Sequence, residues 1–97
     1  MDLRFTGEIW YWRGPAPFYF VTVPDDAAED IHEVAGLVTY GWGMIPAIVT
    51  IGATSWYTAL WPKDGGYIVP LKAGVRRAED IDVDDIVEVG LSIDDQG

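Results

Sequence analysis

Residues 45–71, IPAIVTIGATSWYTALWPKDGGYIVPL, decide the fold, because this stretch contains three predicted β-strands in close succession. Ile45–Ile51 and Ser55–Trp61 are rich in β-branched and aromatic residues, and a short Gly-Ala-Thr turn separates them. The segment PKDGG predicts a second tight turn, since Asp-Gly readily adopts the positive φ angles of a hairpin. Tyr67–Leu71 is then the third strand, and Pro70 within it indicates an edge or a bulge because proline has no N–H to donate.

The N-terminal residues also alternate with a period of two, which is typical of a half-buried strand. In LRFTGEIWYW, residues 3–12, the side chains of Trp10 and Trp12 fall on the face opposite to that of Ile9. The prolines of RGPAP end this strand, and the aromatic and β-branched segment Phe18–Val23 predicts a second one. We therefore predict that these two strands form a hairpin.

Two other segments have the period of a helix. In PDDAAEDIHEVAG, residues 24–36, apolar residues recur at helical spacing, and Gly36 is suited to the C-terminal cap. AGVRRAED, residues 73–80, predicts one or two helical turns, and DIVEVGLSI, residues 85–93, predicts the last strand. The order β-β-α-β-β-β-α-β predicts a mainly β fold, a small six- to seven-stranded barrel capped by two short helices.

The composition argues against several classes of function. The 97 residues carry a net charge of −10 with only six basic side chains, so the surface is poorly suited to nucleic acid or an anionic membrane. The chain has no cysteine, which excludes disulfides and thiolate zinc sites. Neither a secretory signal nor an apolar run of bilayer length is visible, so we expect a cytoplasmic protein. We expect one domain over residues 1–97, frayed from about residue 94.

The second half of the chain carries a set of short motifs that belong together. They are Gly41–Trp42–Gly43, Pro46, Val49–Gly52, Trp56, Thr58–Pro62, Tyr67–Pro70, Lys72, Val75–Arg76 and Asp85–Val89. In these motifs the chain resembles the bacterial and archaeal family called domain of unknown function 1905. The resemblance implies a double-split β-barrel, a fold shared with AbrB-like regulators and MazE-type antitoxins, and it implies no activity. Members tend to carry glycine where this chain has Asp84, a residue that tolerates left-handed backbone better than most.

No combination of residues in the sequence points to catalysis, a metal or a cofactor. His32 is the only histidine, and we interpret it as a solvated residue on the face of the first helix. One histidine among scattered carboxylates is not a metal-binding pattern, and no serine has a neighbouring base. We interpret the acidic run from Glu79 to Glu88 as a solvated turn followed by the outward face of a strand. The sequence therefore does not support an enzyme.

The clustered cations Lys72, Arg76 and Arg77 have two interpretations. In the first, they neutralise the following acids in a local ion-pair network, with Arg76 near Asp80 at helical spacing. In the second, they form a site for a carboxylate or phosphate group, which arginine can hold through two parallel hydrogen bonds. For the second interpretation we predict a candidate ligand site where the loop containing Trp42 approaches the other candidate residues, which are Trp56, Lys72, Arg76 and Arg77.

The tryptophans also have two interpretations, one structural and one functional. Most indoles in a small barrel fill the core or cover its ends, but Trp10, Trp12 and Trp42 are also suited to line a binding cleft. We interpret the chain as a non-enzymatic module that binds a small anionic or aromatic ligand or a protein partner. The alternative is a dimeric regulator of the AbrB or MazE type. The sequence does not indicate the oligomeric state.

Overall fold

The structure is a computed structural model that describes residues 1–14, 18–38 and 43–94. The predicted loop at Gly41 and Trp42, and the predicted tail beyond Asp94, lie outside these ranges. The described part of the chain contains six strands and two helices in the predicted order. Their bounds are β1 Asp2–Trp12, β2 Phe18–Thr22, α1 Asp25–Val38, β3 Ile45–Ile51, β4 Thr54–Lys63, β5 Gly66–Leu71, α2 Ala73–Glu79 and β6 Ile86–Ser92.

The six strands form a closed barrel in the order β1-β2-β5-β4-β3-β6, with every pair antiparallel. This confirms the predicted mainly β barrel with two short helices. The predicted hairpin of β1 and β2 is present, and its register places Trp12 opposite Phe18 and Trp10 opposite Phe20. Strand β5 lies between β2 and β4, so segments far apart in sequence become neighbours on the barrel wall.

Strand β4 changes its partner along its length. Residues 54–60 pair with β3, whereas only residues 61–63 pair with β5. On β5 the pairing with β4 stops at Ile68, and the rest of the strand, including Pro70, pairs with β2 alone. Pro70 therefore has the local edge position that its missing N–H predicted. The barrel wall opens between β4 and the end of β5, and α2 packs against β4 beside this opening.

The hydrophobic core is built from alternate residues of the strands. On β3, Ile45, Ala47, Val49 and Ile51 are buried, and the residues between them are half-buried or exposed. The same alternation on β6 buries Val87, Val89 and Leu91. Alternation buries one face of each strand because successive side chains point to opposite sides of a sheet.

Helix α1 packs on β3 and β5 through its apolar side. Asp25 and Asp26 lie in its first turn, where the positive end of the helix dipole favours carboxylates, and Ile31 is fully buried. The predicted cap at Gly36 is wrong, because the helix continues to Val38. Glycine inside a helix costs only about 1 kcal/mol relative to alanine, so it does not by itself end the helix.

His32 is exposed, as the sequence predicts, but it also connects α1 to the turn between β4 and β5. Its Nε2 lies 2.9 Å from the carbonyl oxygen of Gly65, and this geometry makes Nε2 the nitrogen that donates. The Tyr67 hydroxyl then donates to Nδ1 over 3.4 Å. Burial raises the pKa of the Tyr67 hydroxyl above its ordinary value of 10.0.

Helix α2 follows β5 directly. Lys72 is its N-cap residue, and Asp80 ends the helix in a left-handed conformation with its N–H directed at the carbonyls of Arg76 and Arg77. Neither helix in the described part of the chain is long and apolar enough to cross a membrane.

Asp84, which lies in the turn before β6, has a φ of 73°. Its N–H donates to the carbonyl of Ile9 over 2.8 Å, and the Ile9 N–H donates in turn to the carbonyl of Asp85 over 2.9 Å. These bonds extend the pairing of β1 beyond the start of β6. The prediction that aspartate preserves this left-handed turn is confirmed.

Candidate functional site

The opening between β4 and β5 forms a groove with a volume of about 460 Å³. We call it the Arg76 groove and define it by the residues that characterise its chemistry. These are Phe18 and Tyr19 of β2, Thr58 and Trp61 of β4, Lys72 before α2, and Arg76 within α2. The groove is there because β4 pairs with β5 only from residue 61 onward, so the part of β4 before Trp61 is not joined to the end of β5. Helix α2 begins close to the end of β5 and places Arg76 on this side.

Arg76 is the central side chain of the groove. Its Cζ lies 3.6 Å from the centroid of the Tyr19 ring, which is a cation–π contact. The ring of Tyr11 packs edge-on against Tyr19 with centroids 4.9 Å apart, so the ring beneath the guanidinium is itself held in place. The Arg76 Nε is buried and has no hydrogen-bond partner in the described part of the chain. A polar group that enters the groove would find a guanidinium with unused donors.

The ion-pair interpretation of the cation cluster is wrong for the residues that the structure describes. Within residues 1–14, 18–38 and 43–94, neither Lys72, Arg76 nor Arg77 forms an ion pair. Glu79 instead accepts a hydrogen bond of 2.6 Å from the Thr54 hydroxyl. The Glu79 carboxylate thus has a partner other than the clustered cations.

Two further acids of the run, Asp82 and Asp85, stabilise their own turn, and Glu88 pairs with Arg4 of β1 over 3.1 Å. The Asp85 carboxylate accepts a 2.8 Å hydrogen bond from the Asp82 N–H, and the Asp82 carboxylate accepts one of 2.7 Å from the Val83 N–H. Asp82 and Asp85 are exposed. The interpretation of the acidic run as a solvated turn is therefore supported, and its side chains do not line the Arg76 groove.

The structure brings together only part of the predicted site. Lys72 and Arg76 both line the groove, as their spacing of four residues predicted, while Arg77 is exposed and lies outside it. Trp56 is half-buried against the core, and its indole N–H is buried without a partner in the described part of the chain. Trp56 does not line the groove; it lies opposite Val49 of β3 and packs against the buried core. Trp42 lies outside the described residues.

A second cleft, which we call the Trp12 cleft, lies on the outer face of the barrel and has a volume of about 250 Å³. Its lining residues are Trp10, Trp12, Phe20, Trp61, Pro62, Lys63 and Ile68. Phe20 forms its base and is fully buried, with ring centroids 5.1 Å from both Trp10 and Trp61. The predicted cleft of Trp10, Trp12 and Trp42 is thus present for its first two members.

Sequence reasoning missed Phe20 and Trp61 as partners of these tryptophans. The alternation of Phe18–Val23 and the predicted hairpin with β1 contained enough information to place Phe20 beside Trp10. Nothing in the local pattern placed Trp61 there, because that contact depends on β5 lying between β2 and β4. Trp61 lines both the Arg76 groove and the Trp12 cleft, which makes the two cavities neighbours.

The groups that line the Arg76 groove are suited to binding a ligand. In the described part of the chain, no group of three or more His, Asp or Glu side chains is placed to hold a metal ion. The groove contains a cation pair, one threonine hydroxyl and aromatic walls. Such a combination is typical of a site that orients a ligand through a few polar contacts and holds the remainder by apolar packing.

Comparison with known proteins identifies the family of the chain. No curated protein matched the sequence significantly. The model of one family matches residues 5–91, a range that includes all six strands at least in part and both helices. The chain therefore belongs to the family described as a domain of unknown function (DUF1905).

Proposed function

We propose that this protein is a binding module for small molecules that carry a carboxylate or a similar anionic group. The observation that carries the proposal is the state of Arg76, whose guanidinium is stacked on Tyr19 in a groove and has no carboxylate partner in the described part of the chain. Guanidinium groups in clefts usually pair with an acid, since this satisfies several donors at once.

The chemistry of the groove suits an acid joined to an apolar body. Arg76 offers a planar fork of donors, and Lys72 adds a second positive charge at the rim. Phe18 and Trp61 supply apolar walls, with ring centroids 5.4 Å apart. A volume of about 460 Å³ falls within the roughly 300–1,000 Å³ of typical ligand pockets.

The net charge of −10 does not prevent such binding. At physiological ionic strength, charges separated by more than about 8 Å are largely screened, so the cations in the groove dominate the potential there. Stacking on Tyr19 also fixes the guanidinium before a ligand arrives, which lowers the entropy cost of binding.

The proposal is tested by calorimetric titration with benzoate, using benzamide as a neutral compound of the same shape. We expect benzoate to bind and benzamide to bind far more weakly. Arg76→Ala should weaken benzoate binding by roughly 10- to 100-fold, since a hydrogen bond to a charged group contributes about 1.5–3 kcal/mol.

Arg77→Ala is the matched control, because Arg77 is the next residue on the same helix and does not line the groove. It should leave benzoate affinity within about twofold, since an exposed charge outside the site acts only through a screened field. The proposal is wrong if benzoate and a wider panel of small acids fail to bind, or if Arg76→Ala and Arg77→Ala have equal effects.

A further inference from the structure

We infer that the Trp12 cleft is a second subsite for the same ligand and that it takes a planar aromatic body, so the ligand class is an extended aromatic acid. This inference rests on the proposed function of the Arg76 groove. The first observation behind it is continuity: Trp61 lines both cavities, and Phe18 of the groove packs against Phe20 of the cleft with centroids 6.0 Å apart.

The size of the Trp12 cleft supports its role as an extension of the groove. Its volume of about 250 Å³ is below the roughly 300–1,000 Å³ of pockets that hold whole ligands. Among the described residues that line it, only Lys63 is charged, and this lysine is paired with Asp64 over 3.2 Å. The cleft therefore offers mainly apolar surface, whereas the neighbouring groove offers the charged anchor.

The walls of the cleft are held in position before any ligand binds. The Trp10 indole N–H donates to the Thr22 hydroxyl over 2.9 Å, which fixes the orientation of that ring. Phe20 is fully buried beneath it, although it lies on the outer face of the barrel. Rigid aromatic walls bind a flat ligand with little loss of side-chain entropy.

The exposed aromatic surface at the rim of the cleft indicates the kind of group that the cleft would bind. Trp12 is 47% exposed and Phe18 is 37% exposed, and they lie opposite each other on β1 and β2. Together with Trp61 they present ring faces and edges at which another ring can stack or pack edge-on. A flat body anchored by its acid at Arg76 and laid along Trp61 would cover this surface.

The test compares three acids by calorimetric titration of the full chain: benzoate, biphenyl-4-carboxylate and decanoate. We expect biphenyl-4-carboxylate to bind about tenfold more tightly than benzoate, because its second ring gains aromatic contacts in the cleft. Decanoate, which is flexible, should gain clearly less. Arg76→Ala should weaken all three.

Trp12→Ala should remove the advantage of biphenyl-4-carboxylate and leave benzoate affinity unchanged. Trp12→Leu retains apolar packing on Phe20 without a flat ring and should have the same effect on binding. It replaces the alanine variant in the test if Trp12→Ala does not fold. Tyr57→Ala is the matched control, since Tyr57 is an aromatic residue of β4 that is 68% exposed and lies outside both cavities. It should leave all three affinities unchanged.

Three results would overturn the inference while the proposed function stands. The first is that benzoate binding depends on Arg76, but biphenyl-4-carboxylate binds no more tightly than benzoate. The inference also fails if biphenyl-4-carboxylate still binds more tightly than benzoate in both Trp12 variants. The third is decanoate binding as tightly as biphenyl-4-carboxylate, which would assign the cleft to acyl chains. If none of the acids binds, or if binding does not depend on Arg76, both the proposed function and this inference fail.

Discussion

Replacing Gly52 by alanine should destabilise the protein through two effects that can be separated. Gly52 lies in the turn between β3 and β4 with a φ of 59°, a left-handed conformation that costs other L-residues roughly 1–2 kcal/mol. A β-carbon at this position would also collide with the carboxylate of Glu79. That carboxylate is the acceptor for the Thr54 hydroxyl, so moving it away breaks this hydrogen bond.

The expected magnitude follows from these contacts. A hydrogen bond to a charged group contributes about 1.5–3 kcal/mol, and partial exposure of Thr54 and Glu79 favours the lower end. Added to the backbone cost, Gly52→Ala should lower the free energy of unfolding by about 3 kcal/mol. For a domain of this size, a loss of that order lowers Tm by roughly 10–20 °C.

Gly65→Ala is the matched control for the backbone effect alone. Gly65 has a φ of 82°, and a β-carbon there would meet no atom within 4 Å. Its replacement should cost about 1 kcal/mol, and the smaller entropy of the unfolded alanine chain affects both variants alike. Thermal and urea unfolding followed by circular dichroism would measure both free energies.

The double variant Gly52→Ala/Glu79→Ala isolates the collision. In a chain that already lacks the Glu79 carboxylate, Gly52→Ala should cost only about 1 kcal/mol, like Gly65→Ala, which corresponds to a coupling energy of about 2 kcal/mol. If Gly52→Ala costs the same with and without Glu79, or no more than Gly65→Ala, the reasoning from the collision is refuted.

Three further predictions concern pH, turn geometry and charge. Because burial raises the pKa of Tyr67, the folded state holds that proton more tightly than the unfolded chain; the resulting stability is present below pH 10 and is lost as pH rises through the folded-state pKa. Tyr67→Phe should remove this part of the alkaline loss in pH-dependent urea unfolding, and Tyr57→Phe should not. Asp84→Gly should raise Tm by a few degrees, because glycine adopts the left-handed conformation of this residue without strain. Asp84→Asn is the control, since it removes the charge and keeps a side chain; an equal gain in Tm for both variants would assign the effect to charge. The chain should show no measurable affinity for duplex DNA near physiological salt because of its net charge of −10, and specific micromolar binding in a gel-shift titration would contradict this.

The aromatic rings on the outer face of the barrel form a cluster around Phe20. Phe20 is fully buried there, and its ring is in contact with the rings of four other residues, which are Trp10, Trp12, Phe18 and Trp61. This cluster acts as a small second core on the outer face, which contributes to stability whether or not a ligand binds. Truncation of Phe20 would therefore affect folding and binding together, so Trp12, which is 47% exposed, is the better probe of the cleft.

The local sequence determined the elements and their faces. Alternation identified the buried side of Ile45–Ile51, and the spacing of Lys72 and Arg76 placed both cations on one side of the chain as it enters α2. The left-handed conformation of Asp84 was implied by the family resemblance, and the structure confirms it with a φ of 73°. These predictions succeeded because periodicity and turn chemistry depend on residues a few positions apart.

Only the tertiary structure decided which of these faces meet. The contacts of Arg76 with Tyr19 and of Trp61 with Phe20 join segments about 40 or more positions apart, and they exist because β5 is placed between β2 and β4. The choice of Arg76 over Arg77 for the groove depends on how α2 is rotated against β4. Residues so far apart leave no local periodicity to read, because the energy that brings them together comes from burying whole faces of the barrel at once.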